Sequence, residues 1–160
     1  MKHLAIYLND HYAGSTAGVE LAKRAAKHNQ GNPEFGPPLT RIAGEIDEDR
    51  DALKRIMARL EVPENRIKAT LGWTIEKAGR LKPNGNLLRF SPLSRLVEVE
   101  GLLSGVGGKL SLWRALLAIA PTEPRLDEAQ LTELARRAED QLQRLHVLRG
   151  AAAIIAFGRS

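Results

Sequence analysis

The segment Ser91–Ala118, SPLSRLVEVEGLLSGVGGKLSLWRALLA, predicts one long helix that is apolar around much of its circumference. Ser91 is a favourable N-cap residue and Pro92 suits a first helical turn, so we expect the helix to begin here. An acidic residue, Glu100, lies beside the apolar face. Because so apolar a helix has to bury its surface against several neighbours, we expect the rest of the chain to provide packing partners.

Four further helices are predicted from apolar residues that recur every three or four positions and from the prolines and cap residues at their ends. Together with the central segment, the predicted helices cover about 2–29, 38–60, 63–81, 91–118 and 127–157. The last of them begins with Asp127 and Gln130, which have the spacing of a capping box. The whole chain, residues 1–160, is therefore expected to form one helical domain.

The composition excludes several kinds of chemistry. The chain has no cysteine, which removes disulfides, thiolate zinc sites and thiol nucleophiles, and its 4% aromatic content predicts an aliphatic core. The N-terminal residues lack the pattern of a signal peptide, and no apolar run approaches the roughly 20 residues of a membrane span. We therefore expect a soluble, cytoplasmic protein with no membrane partner.

Polar residues on the inward faces of the predicted helices mark the candidate site. Asp49 interrupts an unbroken apolar stripe that runs from Leu39 to Leu60, and Glu45 lies one turn earlier, near its edge. Arg149 falls among the inward residues of the last helix. If the helices run up, down, down and up, Glu100 and Arg149 lie at similar heights and Asp49 about one turn away. This arrangement predicts a buried ion pair formed by the residues Asp49, Glu100 and Arg149.

The predicted fold is an all-α four-helix bundle with a long helical crossover between its second and third long helices. This up-down-down-up topology resembles the ferritin-like superfamily. The sequence LNDH at Leu8–His11 also resembles small bacterial ferritin-like proteins. The resemblance implies a di-iron site made from glutamates on two helices and a Glu-x-x-His motif on each of the other two.

That ligand motif is degenerate in this sequence. Glu100 is followed three positions later by Leu103, and His146 is preceded three positions earlier by Gln143. A reduced carboxylate site for iron or manganese remains as the alternative, with the candidate ligands Glu45, Asp49, Glu100 and His11. An inward arginine repels a metal cation, so a salt-bridged core without catalytic residues, metal or other cofactor is the favoured interpretation.

The basic charge of the chain is concentrated in one segment. The formal net charge is +5, and residues 66–95 contain seven basic residues against one acidic residue. The simpler interpretation is that these basic residues form a solvent-exposed face of the crossover helix. A second alternative is an anion-binding or nucleic-acid-binding module, with Trp73 available for base stacking. Its candidate residues are Arg66, Lys68, Lys77, Arg80 and Lys82.

A pair of glycines indicates close helix packing. Gly14 and Gly18 lie one turn apart on the first helix, where each lowers helix propensity. Close approach of the crossover helix or of a second subunit accounts for them, and we expect a homo-oligomer, most simply a homodimer. The sequence thus favours a non-catalytic, oligomeric ferritin-like bundle.

Overall fold

A computed structural model describes residues 2–65 and 90–158. Within these residues the chain is all-helical, as predicted, and forms four long α-helices that we number α1 to α4. Their bounds are Lys2–His28 (α1), Gly36–Arg59 (α2), Pro92–Ile119 (α3) and Glu128–Phe157 (α4). A short 3-10 turn, Ala120–Thr122, follows α3. The predicted helix over 63–81 falls mostly outside the described residues, and residues 63–65, which are described, are not helical.

The ends of the long helices lie within two residues of the predicted positions because the cap residues act as expected. The Ser91 hydroxyl accepts a hydrogen bond from the Ser94 amide at 3.2 Å, and the Asp127 carboxylate accepts one from the Gln130 amide at 3.0 Å. The capping box is only half formed. The Gln130 side chain accepts a hydrogen bond from Arg59 of α2.

The bundle core is aliphatic and continuous across all four helices. α1 packs against α2 and α3, and α3 packs against α4. Trp113 of α3, Phe35 before α2 and Leu8 of α1 are among its largest fully buried side chains. The predicted buried stripe of α2 is confirmed at every position. Its members are Leu39, Ile42, Ile46, Asp49, Leu53, Ile56 and Leu60.

The contact between α2 and α4 differs from the others. Their backbones approach each other closely at far fewer positions than those of the other three packed pairs. Long charged and amide side chains bridge the gap, from Glu45, Glu48 and Asp49 on α2 to Arg137 and Arg144 on α4. We call this contact the α2–α4 seam, and it positions the candidate site.

One helix in the described part of the chain, α3 with its following 3-10 turn (Pro92–Thr122), is long and apolar enough to cross a membrane. The core helix of a soluble protein passes the same test of length and composition. Nine residues of α3 are buried in the bundle, including Val99, Leu102 and Trp113. The soluble, cytoplasmic character expected from the sequence stays a prediction.

Candidate functional site

Three polar residues interrupt the apolar stripes of three different helices and meet inside the bundle. Asp49 of α2 is 1% exposed and Gln141 of α4 is fully buried. Lys109 of α3 reaches them from between Val106 and Trp113, and its side chain is 13% exposed. We call Asp49, Lys109 and Gln141 the interior cluster. Such buried polar groups require partners, and each supplies a partner for the others.

The Lys109 ammonium is the centre of this cluster. Its Nζ donates hydrogen bonds to Asp49 Oδ2 and to Gln141 Oε1, the latter at 2.5 Å. The Gln141 amide Nε2 lies 3.3 Å from Asp49 Oδ2 and donates to Glu45 Oε2 at 3.1 Å. Gln141 therefore accepts from the lysine and donates to the carboxylates, which closes a network across three helices.

Two arginines of α4 cover the side of the cluster that faces solvent. Arg137 donates to Asp49 Oδ1 and, at 2.9 Å, to Glu48, while Arg144 donates to Glu45. The arginine side chains are 25% and 24% exposed, so each is mostly buried and shields the cluster from solvent. Glu45, Arg137 and Arg144 form the rim of the interior cluster. Together, the interior cluster and its rim contain two carboxylates and three positively charged side chains.

Burial and charge act in opposite directions on the titratable groups. Burial lowers the pKa of Lys109 below its usual value, and the neighbouring Asp49 carboxylate only partly offsets this effect. Burial also raises the pKa of Glu45, but hydrogen bonds from Arg144 and Gln141 outweigh it, so the net shift is downward. Glu45 is therefore ionised at neutral pH and holds Arg144 in place.

The structure confirms that Asp49 is a buried ion-pair residue but corrects its partners. Glu100 and Arg149 are both exposed. Asp49 binds Lys109 and Arg137 instead. The predicted heights of Glu100 and Arg149 along the bundle axis were wrong. Glu100 lies nine residues before Lys109 and Arg149 eight residues after Gln141, which places each about 12 Å or more along its helix from the cluster.

The other candidate metal ligands do not join Asp49 in one site. His11 is half-buried on α1, where its ring lies 4.5 Å from that of Tyr7 and burial lowers its pKa. Glu45 is at the rim, where Arg144 and Arg41 bind it. Among residues 2–65 and 90–158, no three histidine, aspartate or glutamate side chains are grouped so as to hold a metal ion.

The candidate anion-binding residues Arg66, Lys68, Lys77, Arg80 and Lys82 lie outside the described residues. Arg95, at the end of the basic segment, is described and is engaged inside the protein. Its Nε donates to Asn29 Oδ1 at 2.5 Å, and its guanidinium lies 4.6 Å from the centre of the Phe35 ring. This cation therefore fastens α3 to the end of α1.

A second buried carboxylate, Glu98, lies between α1 and α3. It is 6% exposed, and its Oε1 lies 2.9 Å from His28 Nδ1 and 3.3 Å from Arg24 Nε. Glu98 carries no sequence signal that separates it from Glu100, which lies two positions further along the same apolar helix. It stabilises the α1–α3 contact near one end of the bundle, away from the interior cluster.

Sequence reasoning also missed Lys109, Gln141, Arg137 and Arg144. A usable signal existed for the first two. Lys109 and Gln141 each interrupt a stripe of buried residues spaced by three and four, just as Asp49 does in α2. Three interrupted stripes on three helices point to one shared polar site, since a buried polar group needs partners.

No protein-family model, no curated protein and no solved structure matches this chain.

Proposed function

We propose that this protein is a non-catalytic, ferritin-like helical bundle in which a side-chain cation, Lys109, takes the central place of a metal ion. The observation that carries the proposal is the position of Lys109 Nζ, bonded to both Asp49 and Gln141 in the interior. The cluster serves to hold α2, α3 and α4 in one register. We propose no substrate and no cofactor.

The chemistry of the cluster supports a side-chain cation over a metal ion. A divalent metal needs several free carboxylate or imidazole lone pairs. Here the oxygens of Asp49 accept from Lys109 and Arg137, and Glu45 accepts from Arg144. A metal placed among these groups would face three positive charges at short range, so the residues present do not fit it.

The proposed up-down-down-up topology is supported by the register of polar pairs between helices. Rising numbers on α2 pair with falling numbers on α4, as in Glu45–Arg144 and Arg59–Gln130, which fits antiparallel helices. The same holds for α3 and α4, and for α1 and α3. Since α2 and α3 are then parallel, the end of α2 and the start of α3 lie at opposite ends of the bundle, as in ferritin-like proteins.

We further propose that the protein acts as a homodimer in the cytoplasm. Its support is the set of large apolar side chains that remain exposed on α4, of which Val147 and Ile154 are exposed by 74% and 73%. An anionic partner bound through the basic segment is a second proposal, supported by the seven basic residues against one acidic residue in 66–95.

Metal analysis of the purified protein tests the central proposal. The protein is produced in cells supplied with iron and manganese, purified without chelators, and analysed for both metals beside an Asp49→Asn control. We expect far less than one metal ion per chain in both proteins. Stoichiometric iron or manganese that disappears in Asp49→Asn would overturn the proposal. Metal retained in Asp49→Asn would lie elsewhere and leave the role of Lys109 intact.

A further inference from the structure

The last third of α4 exposes an apolar stripe on the side of the helix that faces away from the bundle. Val147, Ile154 and Phe157 are exposed by 74%, 73% and 68%, and Gly150 lies exposed between them. These residues are spaced by three and four positions, so they share one face of the helix. We call Val147, Gly150, Ile154 and Phe157 the C-terminal stripe. Ile155, 44% exposed, widens it on one side.

Among the described residues, no neighbouring atom requires a glycine at position 150. A Cβ atom built on Gly150 would meet no atom of residues 2–65 or 90–158 within 4 Å. Glycine inside a helix lowers helix stability relative to alanine, and no contact of the described residues offsets this loss at Gly150. Close approach of a second helix backbone at this point would explain it, as in other glycine contacts between helices.

The C-terminal stripe is complementary to itself. If two copies of α4 lie antiparallel with a two-fold axis beside Gly150, Val147 of one copy lies opposite Ile154 of the other. Gly150 then lies opposite Gly150 of the partner, where the lack of side chains lets the helices meet. An isologous dimer contact needs this kind of self-matching surface.

We propose that the C-terminal stripe is the homodimer interface and that its partner is a second copy of this chain in an antiparallel arrangement. This inference specifies the surface for the dimer proposed above and rests on that proposal.

The size of the stripe agrees with a dimer contact. Its large side chains and Ile155 expose roughly 100 Å² each, or about 400–500 Å² of apolar surface per protomer. A standard interface buries about 800 Å² per partner, of which somewhat more than half is apolar. The stripe therefore supplies about the apolar area that one protomer contributes to such an interface.

The oligomeric state of the full chain, measured by sedimentation equilibrium, tests the interface. We expect the wild type to be a dimer. We expect Ile154→Glu to be a monomer, with a dimer dissociation constant at least 100-fold larger than that of the wild type. The matched control is Ile6→Glu, which places the same charge on an exposed isoleucine of α1 and should leave the dimer intact. Circular dichroism of each variant verifies that the bundle is folded.

The outcomes separate the interface from the proposal on which it rests. A wild type that is monomeric at 100 µM overturns both the dimer and the interface, whereas a dimer unaffected by Ile154→Glu overturns the interface alone. Metal content is independent of both results. Binding of a monomer to vesicles containing phosphatidylserine would also overturn the inference, since the stripe would then be a lipid surface.

Disulfide trapping tests the antiparallel arrangement, because the chain contains no cysteine of its own. Gly150→Cys should cross-link to itself under mild oxidation, since the two positions lie almost level across the axis. Val147→Cys should not, because its two copies are about 10 Å apart along the axis and a disulfide needs Cα atoms within about 7 Å. A mixture of Val147→Cys and Ile154→Cys should cross-link. Self-linking of Val147→Cys as efficient as that of Gly150→Cys would contradict the arrangement.

Discussion

The interior cluster makes a quantitative prediction for Asp49→Asn, which removes one negative charge and keeps the shape of the side chain. Lys109 would remain 13% exposed without a carboxylate to bind, and its charge could not readily reach water. Removing one partner of a buried ion pair costs about 3–5 kcal/mol. Gln141 still accepts from Lys109 and Glu48 still binds Arg137, so we expect about 3 kcal/mol, the lower end of this range.

Urea unfolding followed by circular dichroism at pH 7 measures this loss. The control is the double variant Asp49→Leu with Lys109→Met, which removes both charges and refills the space with apolar groups. We expect it to be at least about 2 kcal/mol more stable than Asp49→Asn, because apolar replacement of a buried pair is often close to neutral. A loss of less than about 1 kcal/mol for Asp49→Asn would show that the pair behaves as a solvated surface pair and would refute the reasoning.

Two other variants test the pH dependence and the start of α4. Because burial lowers the folded-state pKa of Lys109 below its usual 10.5, the unfolded chain binds more protons between the two values. The unfolding free energy of the wild type should therefore rise with pH across this window relative to Lys109→Met. Urea unfolding between pH 7 and pH 10 measures the difference, and a relative fall would contradict it. Asp127→Ala removes the N-cap hydrogen bond of α4 and should lower stability by about 1 kcal/mol. Glu133→Ala, an exposed site on the same helix, should change it by less than about 0.5 kcal/mol, and equal effects would argue against the cap.

The long helices were predictable because their signals are local. Ser91 and Asp127 cap helices through their own side chains, and the first-turn proline of α3 fits a helix start. The burial of Asp49 was predictable for a related reason, since it continues an apolar stripe whose period is set by helix geometry alone. Both inferences need only residues that are near one another in the sequence.

The partners of Asp49 were not predictable with the same reliability. Which residues of α3 and α4 lie level with Asp49 depends on the offset between helices, and an offset of two turns moves a contact by about 11 Å. The sequence pattern predicts Glu100 and Arg149 at that level, whereas the structure places Lys109 and Gln141 there. The interrupted stripes identify residues that need partners, but the offset decides which of them meet.

The α2–α4 seam means that the four helices are not held together equally. α1 and α3 pack against each other, α2 packs on α1, and α4 packs on α3. α2 and α4 have few close backbone contacts, so the bundle is least tightly packed at the α2–α4 seam. Salt bridges connect α2 and α4 across this seam. Some of their residues, such as Glu48 at 70% exposure, are solvent-exposed, where dissolved salt screens their charges. Concentrated salt should therefore weaken the exposed salt bridge of Arg137 with Glu48 before the buried ion pair of Lys109 with Asp49, which is screened much less.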